Sequence, residues 1–361
     1  MAGIYLHIPF CRSRCIYCGF YSTTKMEKRQ QYVNALCREW QLRQQELKEP
    51  LNTIYLGGGT PSLLTPTQLQ QIFNALPSAA SEVTIECNPD DVTPEFAETL
   101  SLLPINRVSM GAQTFNDQRL KFLHRRHTSE QVTNAVKLLR KTGIHNISID
   151  LMYGFPDETL EDWLCDIEAA LTLDVEHISA YCLMVEEGTP LYRMRTNPCD
   201  EETERQMYEQ LIDKVTQAGY EHYEISNFAK PRFRSQHNSC YWHDVPYIGL
   251  GAAAHSFDQK SRSWNISDIN QYIQSIEQGI IPCEQELLDD DTRYNDRITV
   301  ALRTKEGLDL TTLDNHFRHY CIKEAQTFLN DGLLQLQDNK LALTRKGLFV
   351  SDMVLSGLMY V

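Results

Sequence analysis

No stretch of this sequence is long and uncharged enough to cross a bilayer as a helix, and no basic segment followed by an apolar one opens it. The expectation is therefore a cytoplasmic protein without an integral membrane segment. Positive charge is also scarce: 34 Lys and Arg stand against 48 Asp and Glu, a formal net charge of −14 at pH 7. A chain that tracks nucleic acid needs many basic side chains to neutralise phosphates, so no nucleic-acid partner is expected. Internal repeats and low-complexity tracts are missing, which sets aside solenoids and biased tails. A disulfide framework is not expected. The eleven cysteines are an odd number, and eight of them (Cys37, Cys87, Cys165, Cys182, Cys199, Cys240, Cys283, Cys321) share no repeated spacing. Such scatter suits a reducing compartment and small buried apolar roles.

What is present is an ordinary globular composition, 42% apolar and 23% charged over 361 residues, enough for one large domain and a smaller one. Short apolar strand-like runs at 4–8, 52–56, 82–87, 106–110, 146–151, 177–183 and 222–226 alternate with helical spacing at 25–47, 65–76, 93–103, 117–123, 129–142, 160–173 and 201–218. Strands separated by single helices and short loops imply a parallel sheet with crossover helices, and six or seven such units fit a complete or partial β/α barrel better than a doubly wound sheet. In a barrel, chemistry belongs in the loops after the strands. Beyond residue 228 the alternation stops. Residues 230–257 lack clear periodicity, 267–278 reads as a short helix, and helical segments follow at 292–303, 312–319 and 322–330. A hairpin turning at Asp338-Asn339 and a last helix after Thr344 complete a pattern resembling a winged helix. The expected division is a core barrel over 1–228, a connecting region over 229–288 and a C-terminal helical domain with the hairpin over 289–361. With no basic recognition helix, packing or partner contact is the expected role of that last part rather than DNA binding.

Residues 5–20, YLHIPFCRSRCIYCGF, hold the remaining cysteines, Cys11, Cys15 and Cys18, as C-x3-C-x2-C at the end of the first strand. Three thiolates this close point to a metal centre, and three is one short of a closed site. Either zinc, completed by a histidine such as His7, or an iron–sulfur cluster with one vacant iron fits the spacing. Gly57-Gly58-Gly59-Thr60-Pro61 follows the second strand. Glycines there let a backbone approach a ligand closely, or simply make a tight turn into the next helix.

Taken with ECNP at 86–89, GAQTF at 111–115 and IDLMYGFP at 149–156, these motifs resemble the radical S-adenosylmethionine (SAM) enzymes, and within them the oxygen-independent coproporphyrinogen oxidase group, over essentially the whole chain. The resemblance implies a radical SAM partial (β/α) barrel in which Cys11, Cys15 and Cys18 hold a [4Fe–4S] cluster and SAM chelates the fourth iron. It places SAM contacts at Tyr5, Tyr17, Gly58, Gly59, Thr60, Glu86, Gln113, Arg125 and Asp150. On their own, Glu86, Gln113 and Asp150 would read as ordinary strand-end hydrogen bonding, and Arg125 is crowded by Arg126 and His127.

Two branches of that group carry different markers. The decarboxylating oxidases carry a further cysteine two residues after the third, where this chain has Phe20. The HemW-type haem chaperones carry HNxxYW, which appears here as His237-Asn238-Ser239-Cys240-Tyr241-Trp242. That branch implies SAM binding without coproporphyrinogen oxidase activity, and haem as cargo. An imidazole is a common axial ligand of haem iron and aromatic rings suit a flat macrocycle, which makes His237 the ligand candidate and Tyr241 its runner-up. A lone histidine among aromatics is otherwise most simply a buried, hydrogen-bonded one. Lys230, Arg232 and Arg234 are available for haem propionates, or form a solvated loop. Implied partners are haem, client haemoproteins (respiratory-chain cytochromes among them) and an electron donor for the cluster, with homodimerisation left open. The competing reading is oxidative decarboxylation of coproporphyrinogen III. Radical modification of tRNA is disfavoured by the acidic charge.

Overall fold

The computed structural model describes every residue but Pro198. Six consecutive strands, β1 (Ala2–Ile8), β2 (Leu51–Gly58), β3 (Glu82–Cys87), β4 (Arg107–Gln113), β5 (Asn146–Tyr153) and β6 (His177–Cys182), pair side by side and parallel. Each is followed by at least one helix, as the alternation in the sequence requires. Past β6 the sheet continues antiparallel through β7 (Glu221–Glu224) and β8 (Asn227–Ala229). On the other side β9 (Tyr247–Leu250) adds parallel to β1, and β10 (His255–Phe257), β11 (Ser261–Asn265) and β12 (Cys283–Leu287) extend it antiparallel. The order is β12-β11-β10-β9-β1-β2-β3-β4-β5-β6-β8-β7, and its two edge strands do not pair with each other among the described residues. The β/α sheet is an open, partial barrel.

The parallel strands alternate with period 2. Ile4, Leu6, Ile8, Ile54, Leu56, Val83, Ile85, Val108, Met110, Ile147, Ile149 and Leu151 lie on the helix side and make up the main core. The positions between them are Gly3, Tyr5, His7, Thr53, Tyr55, Thr84, Glu86, Arg107, Ser109, Ser148, Asp150, His177 and Ser179. Strands buried on both faces usually read as continuous apolar runs, and a closed β/α barrel is filled by branched aliphatic side chains. Here the inner face is polar, so the lumen is built to hold something other than a hydrocarbon core.

Threonine caps set the helix starts. Thr65 and Thr159 each form a reciprocal capping box, with Gln68 and Asp162, opening Pro66–Ala75 and Leu160–Thr172. A second core gathers Tyr294, Ile298, Phe317, Cys321 and Leu355 from helices Asp290–Ala301, Asn315–Asn330 and Ser351–Leu358. Beside it lies a sheet of β13 (Leu308–Asp309), β14 (Leu334–Gln337) and β15 (Lys340–Leu343) in the order β13-β15-β14. Asp338 and Asn339 both have positive φ, 51° and 63°, the conformation of the tightest hairpin turn.

Three expectations need correction. Residues 230–257 are not irregular: they hold the helix Gln236–Trp242 and strands β9 and β10. Strand β9 escaped notice because YIGL is four residues long and contains a glycine. Residues 315–330 form one helix rather than two, and 222–226 straddles the turn between β7 and β8. Among the described residues no helix is long and apolar enough to cross a membrane.

Candidate functional site

The cysteine loop leaves β1 and is tied down by main-chain bonds from elsewhere. Cys11 N donates to Thr23 O at 2.9 Å, Ile16 N to Leu123 O at 3.3 Å, and Leu191 N to Ile16 O at 2.9 Å. Cys11, Cys15 and Cys18 are all unpaired and half-buried. Burial pushes the Cys11 and Cys18 thiols up, the latter to about 11, so a bound metal has to displace their protons. Thr60 Oγ1 reaches Cys11 Sγ at 3.6 Å, and Arg125 Nη1 reaches Cys15 Sγ at 3.6 Å.

Among the described residues no three cysteine, histidine or carboxylate side chains gather around one point as ligands of a single ion would. Thiolates on a cubane each take a different iron and stand further apart than that. The zinc alternative also loses its fourth ligand: His7 Nδ1 is paired with Tyr5 Oη at 3.1 Å and Nε2 with Tyr21 O at 2.9 Å.

The glycine run is demanded by close packing of β2 on β1. Gly58 has φ +103°, and a Cβ there would overlap the His7 ring. A Cβ on Gly59 would lie 2.7 Å from Ile8 O, and one on Gly57 2.9 Å from Glu86 Oε1. Glu86 accepts from Gly58 N at 3.0 Å and from Tyr55 Oη at 2.8 Å. Burial nonetheless raises its carboxyl to about 7. Asp150 is raised for the same reason, with Ser109 Oγ donating to it at 3.3 Å. Gln113 ends β4 at φ 67°, where the pairing with β5 slips by a residue, a left-handed backbone that a non-glycine residue rarely adopts.

Three adjacent basic residues go to three places. Arg126 pairs with Asp90 and Asp91, and His127 Nε2 donates to Ala112 O at 3.0 Å. Arg125 turns to the cysteine loop, donating to Asn88 Oδ1 and Gly111 O, each at 2.6 Å, besides approaching Cys15. It has no ion pair among the described residues, and its Nε is sealed from solvent without a partner. Tyr17 packs beside it, its hydroxyl pushed up by burial and by the neighbouring thiols. Three thiols, a guanidinium without an ion pair among the described residues and two half-buried carboxyls thus share the strand-end mouth, a donor set that fits an anionic cluster with a carboxylate-bearing ligand.

His237 is elsewhere. It lies at the N-terminal end of the lumen, 1% exposed, against Gly3 of β1 and Thr53 of β2. Its Nδ1 pairs with Thr53 Oγ1 at 2.8 Å and its Nε2 with Tyr241 Oη at 3.0 Å, while Glu82 accepts its main-chain N–H at 2.9 Å. Burial holds the imidazole neutral, its pKa lowered to about 3. Both ring nitrogens, the expected haem-iron ligands, are thus hydrogen-bonded and buried in this arrangement. The expected propionate cations are also engaged: Lys230 with Asp174, and Arg234 with Glu221 and Glu306. Arg232 is exposed at φ 76°. The lumen residues Tyr55, Thr53 and Arg107 were missed by sequence reasoning, although for Arg107 the polar–apolar alternation of EVTIE and RVSMG carried the signal.

Comparison with known proteins places this geometry. The Radical SAM superfamily profile matches residues 5–170 and the HemN C-terminal domain profile residues 288–350. A protein named Heme chaperone HemW from Lactococcus lactis is 33% identical, over 95% of this chain and 93% of its own. The protein of that name from Bacillus subtilis is 37% identical over 78% of each chain, and one from Mycobacterium tuberculosis is 32% identical over 99% of this chain. Among solved structures, coproporphyrinogen III oxidase (HemN) from Escherichia coli superposes with a TM-score of 0.86 over 99% of this chain and 90% of its own, at 21% identity, a likeness of fold. Identity of a third sustained along nearly the full length of both chains, on a radical SAM sheet with a HemN-type C-terminal domain, makes this chain a member of the HemW family within the radical SAM superfamily.

Proposed function

We propose that this protein is a cytosolic haem chaperone: it carries a [4Fe–4S] cluster and SAM at the strand-end mouth, binds haem, and hands haem to client haemoproteins. The haem part rests on what its relatives along the whole chain are named for. The observation that carries the cofactor part is Arg125, a half-buried guanidinium beside Cys15 that has no ion pair among the described residues.

In this reading Cys11, Cys15 and Cys18 hold the cluster, which when bound supplies single electrons and an open iron. Arg125 receives the SAM carboxylate, and Gly58, Gly59 and Thr60 offer main chain and hydroxyl to its amino group. Glu86 and Asp150 take ribose hydroxyls, with Gln113, Tyr5 and Tyr17 closing the walls. His237 ligates haem iron once Tyr241 Oη releases Nε2, with Tyr241 as the other candidate. Phe20, 72% exposed, occupies the position where the oxidases keep an extra cysteine, so coproporphyrinogen oxidation is not expected.

The test is paired. Reconstituted protein is incubated with coproporphyrinogen, SAM and a reductant, and separately titrated with haem beside His237→Ala. The reading requires no porphyrinogen oxidation, and a haem spectrum that changes in the variant. Product formation would overturn it, and an unaltered spectrum would remove His237 as ligand.

A further inference from the structure

Two segments that meet at the strand-end mouth leave apolar side chains uncovered. The cysteine loop and the chain after β6 are joined by the Leu191 N–H to Ile16 O bond, and Ile16, Leu183 and Leu191 share a small core with Leu123 and Phe155. Beyond that core the same segments turn outward. Phe20 at the end of the loop, and Met184, Tyr192 and Met194 after β6, are between 49% and 72% exposed. A Cβ on Gly19 would meet the Glu186 carboxylate, so the chain leading into Phe20 runs beside the 184–187 stretch. Single exposed apolar residues are ordinary, but several around one mouth mark an interaction site.

The charge on these segments runs against that of the chain. On a protein of net charge −14, residues 10–20 and 183–195 together carry Arg12, Arg14, Arg193 and Arg195 against Glu186 and Glu187, and no lysine. All six are exposed. Arg12 leans on Asp91 at 3.5 Å, whereas Arg14, Arg193 and Arg195 have no ion pair among the described residues. Small-molecule sites are concave and enclose most of their ligand, but these side chains stand out in solvent. Aromatic residues, methionine and arginine are enriched at protein–protein interfaces and lysine is depleted, which is the composition found here. The surplus of arginine selects a partner of opposite sign.

We propose that Phe20, Met184, Tyr192 and Met194, fringed by Arg14, Arg193 and Arg195, form the docking surface for an acidic one-electron carrier protein. Its position decides the kind of partner: whatever docks here covers the loop whose thiols hold the cluster. The carrier gives up one electron and the cluster takes it, with no atom exchanged. That redox role rests on the cluster proposed above, whereas the docking surface itself does not.

A plant-type ferredoxin, an acidic one-electron carrier of low potential, is the probe. Its affinity for the cluster-loaded protein is measured by titration calorimetry at low and at raised salt, with no haem present. Saturable binding that weakens with salt is expected. Arg14→Glu, Arg193→Glu and Arg195→Glu together should weaken it roughly tenfold or more. Phe20→Ser with Met194→Ser should also weaken it, but leave the salt dependence in place. Lys48→Glu, Lys137→Glu and Lys141→Glu, equally exposed but toward the strand starts, should change nothing. Equal losses from the two sets of reversals, or no binding at all, would overturn the surface. So would arginine reversals that spare the carrier and instead weaken binding of haem or of anionic lipid vesicles. A protein that docks the carrier but binds no haem would overturn the chaperone reading and leave this surface standing.

Discussion

The imidazole of His237 stacks on the ring of Tyr55, centroids 5.0 Å apart and planes 25° from parallel. Tyr55 Oη in turn donates to Glu86 at 2.8 Å, and Glu86 accepts the Gly58 N–H at 3.0 Å. One continuous set of contacts therefore runs from the HNxxYW segment at the floor of the lumen to the glycine run at its mouth. A histidine that left its place to meet haem would withdraw support from the tyrosine that orients Glu86.

Tyr55→Phe isolates one link of this set. The stack survives, but Glu86 loses a donor, which should cost about 1 kcal/mol of stability, the usual net worth of such a bond. Denaturant unfolding should show a lower midpoint at unchanged slope. An unchanged midpoint would take the hydroxyl out of the account.

Stability should also depend on pH through Glu86, whose carboxyl burial raises from 4.5 to about 7. A raised pKa means the folded state holds the proton more tightly than the unfolded one. Its contribution is full below about pH 4.5 and is lost as pH climbs through about 7. Glu158 and Glu224, each also raised to about 7 by burial, add in the same direction. Unfolding free energy should fall between pH 5 and 8, and Glu86→Gln should make that fall shallower. A slope identical to wild type would contradict the assignment.

Much of this architecture was legible in the chain, because alternating periodicity and threonine caps are local signals. Strand Glu82–Cys87 begins and ends where its side chains predict, and Thr65-Pro66 starts its helix as read. What escaped is what depends on partners far along the chain. His237 meets Thr53 across 184 positions, and no spacing rule reveals that its nitrogens are spoken for. Arg107 read as a strand residue like any other, and only the pairing of β3, β4 and β5 places its buried side chain on the lumen face. The cysteine loop was the opposite case, since three ligands within eight positions announce themselves. Arg125 could be told from Arg126 only once Asp90 and Asp91 were seen to hold the latter.

Arg125→Met loses the bonds to Asn88 and Gly111 and should lower stability modestly, but weaken SAM binding by roughly ten- to a hundredfold, the worth of a charge-assisted hydrogen bond. Equilibrium binding of SAM to the cluster-loaded variant measures it. Affinity equal to wild type would mean that the guanidinium serves only Asn88 and Gly111.

Gly58→Ala should be severely destabilising, because the new methyl meets the His7 ring at a backbone φ of +103° that disfavours any side chain. A loss above about 2 kcal/mol is expected from strain and overlap together. Near-wild-type stability would show that β1 and β2 are less tightly apposed than described.

The most direct test of the whole account is transfer of its cargo. Protein loaded with cluster, SAM and one equivalent of haem is mixed with an apo-haemoprotein, and the acceptor's absorbance is followed while coproporphyrinogen is present in the same solution. The account predicts that the holo spectrum of the acceptor appears, that haem leaves the donor in equal amount, and that the porphyrinogen is untouched. Retention of haem by the donor, with oxidation of the porphyrinogen, would contradict it.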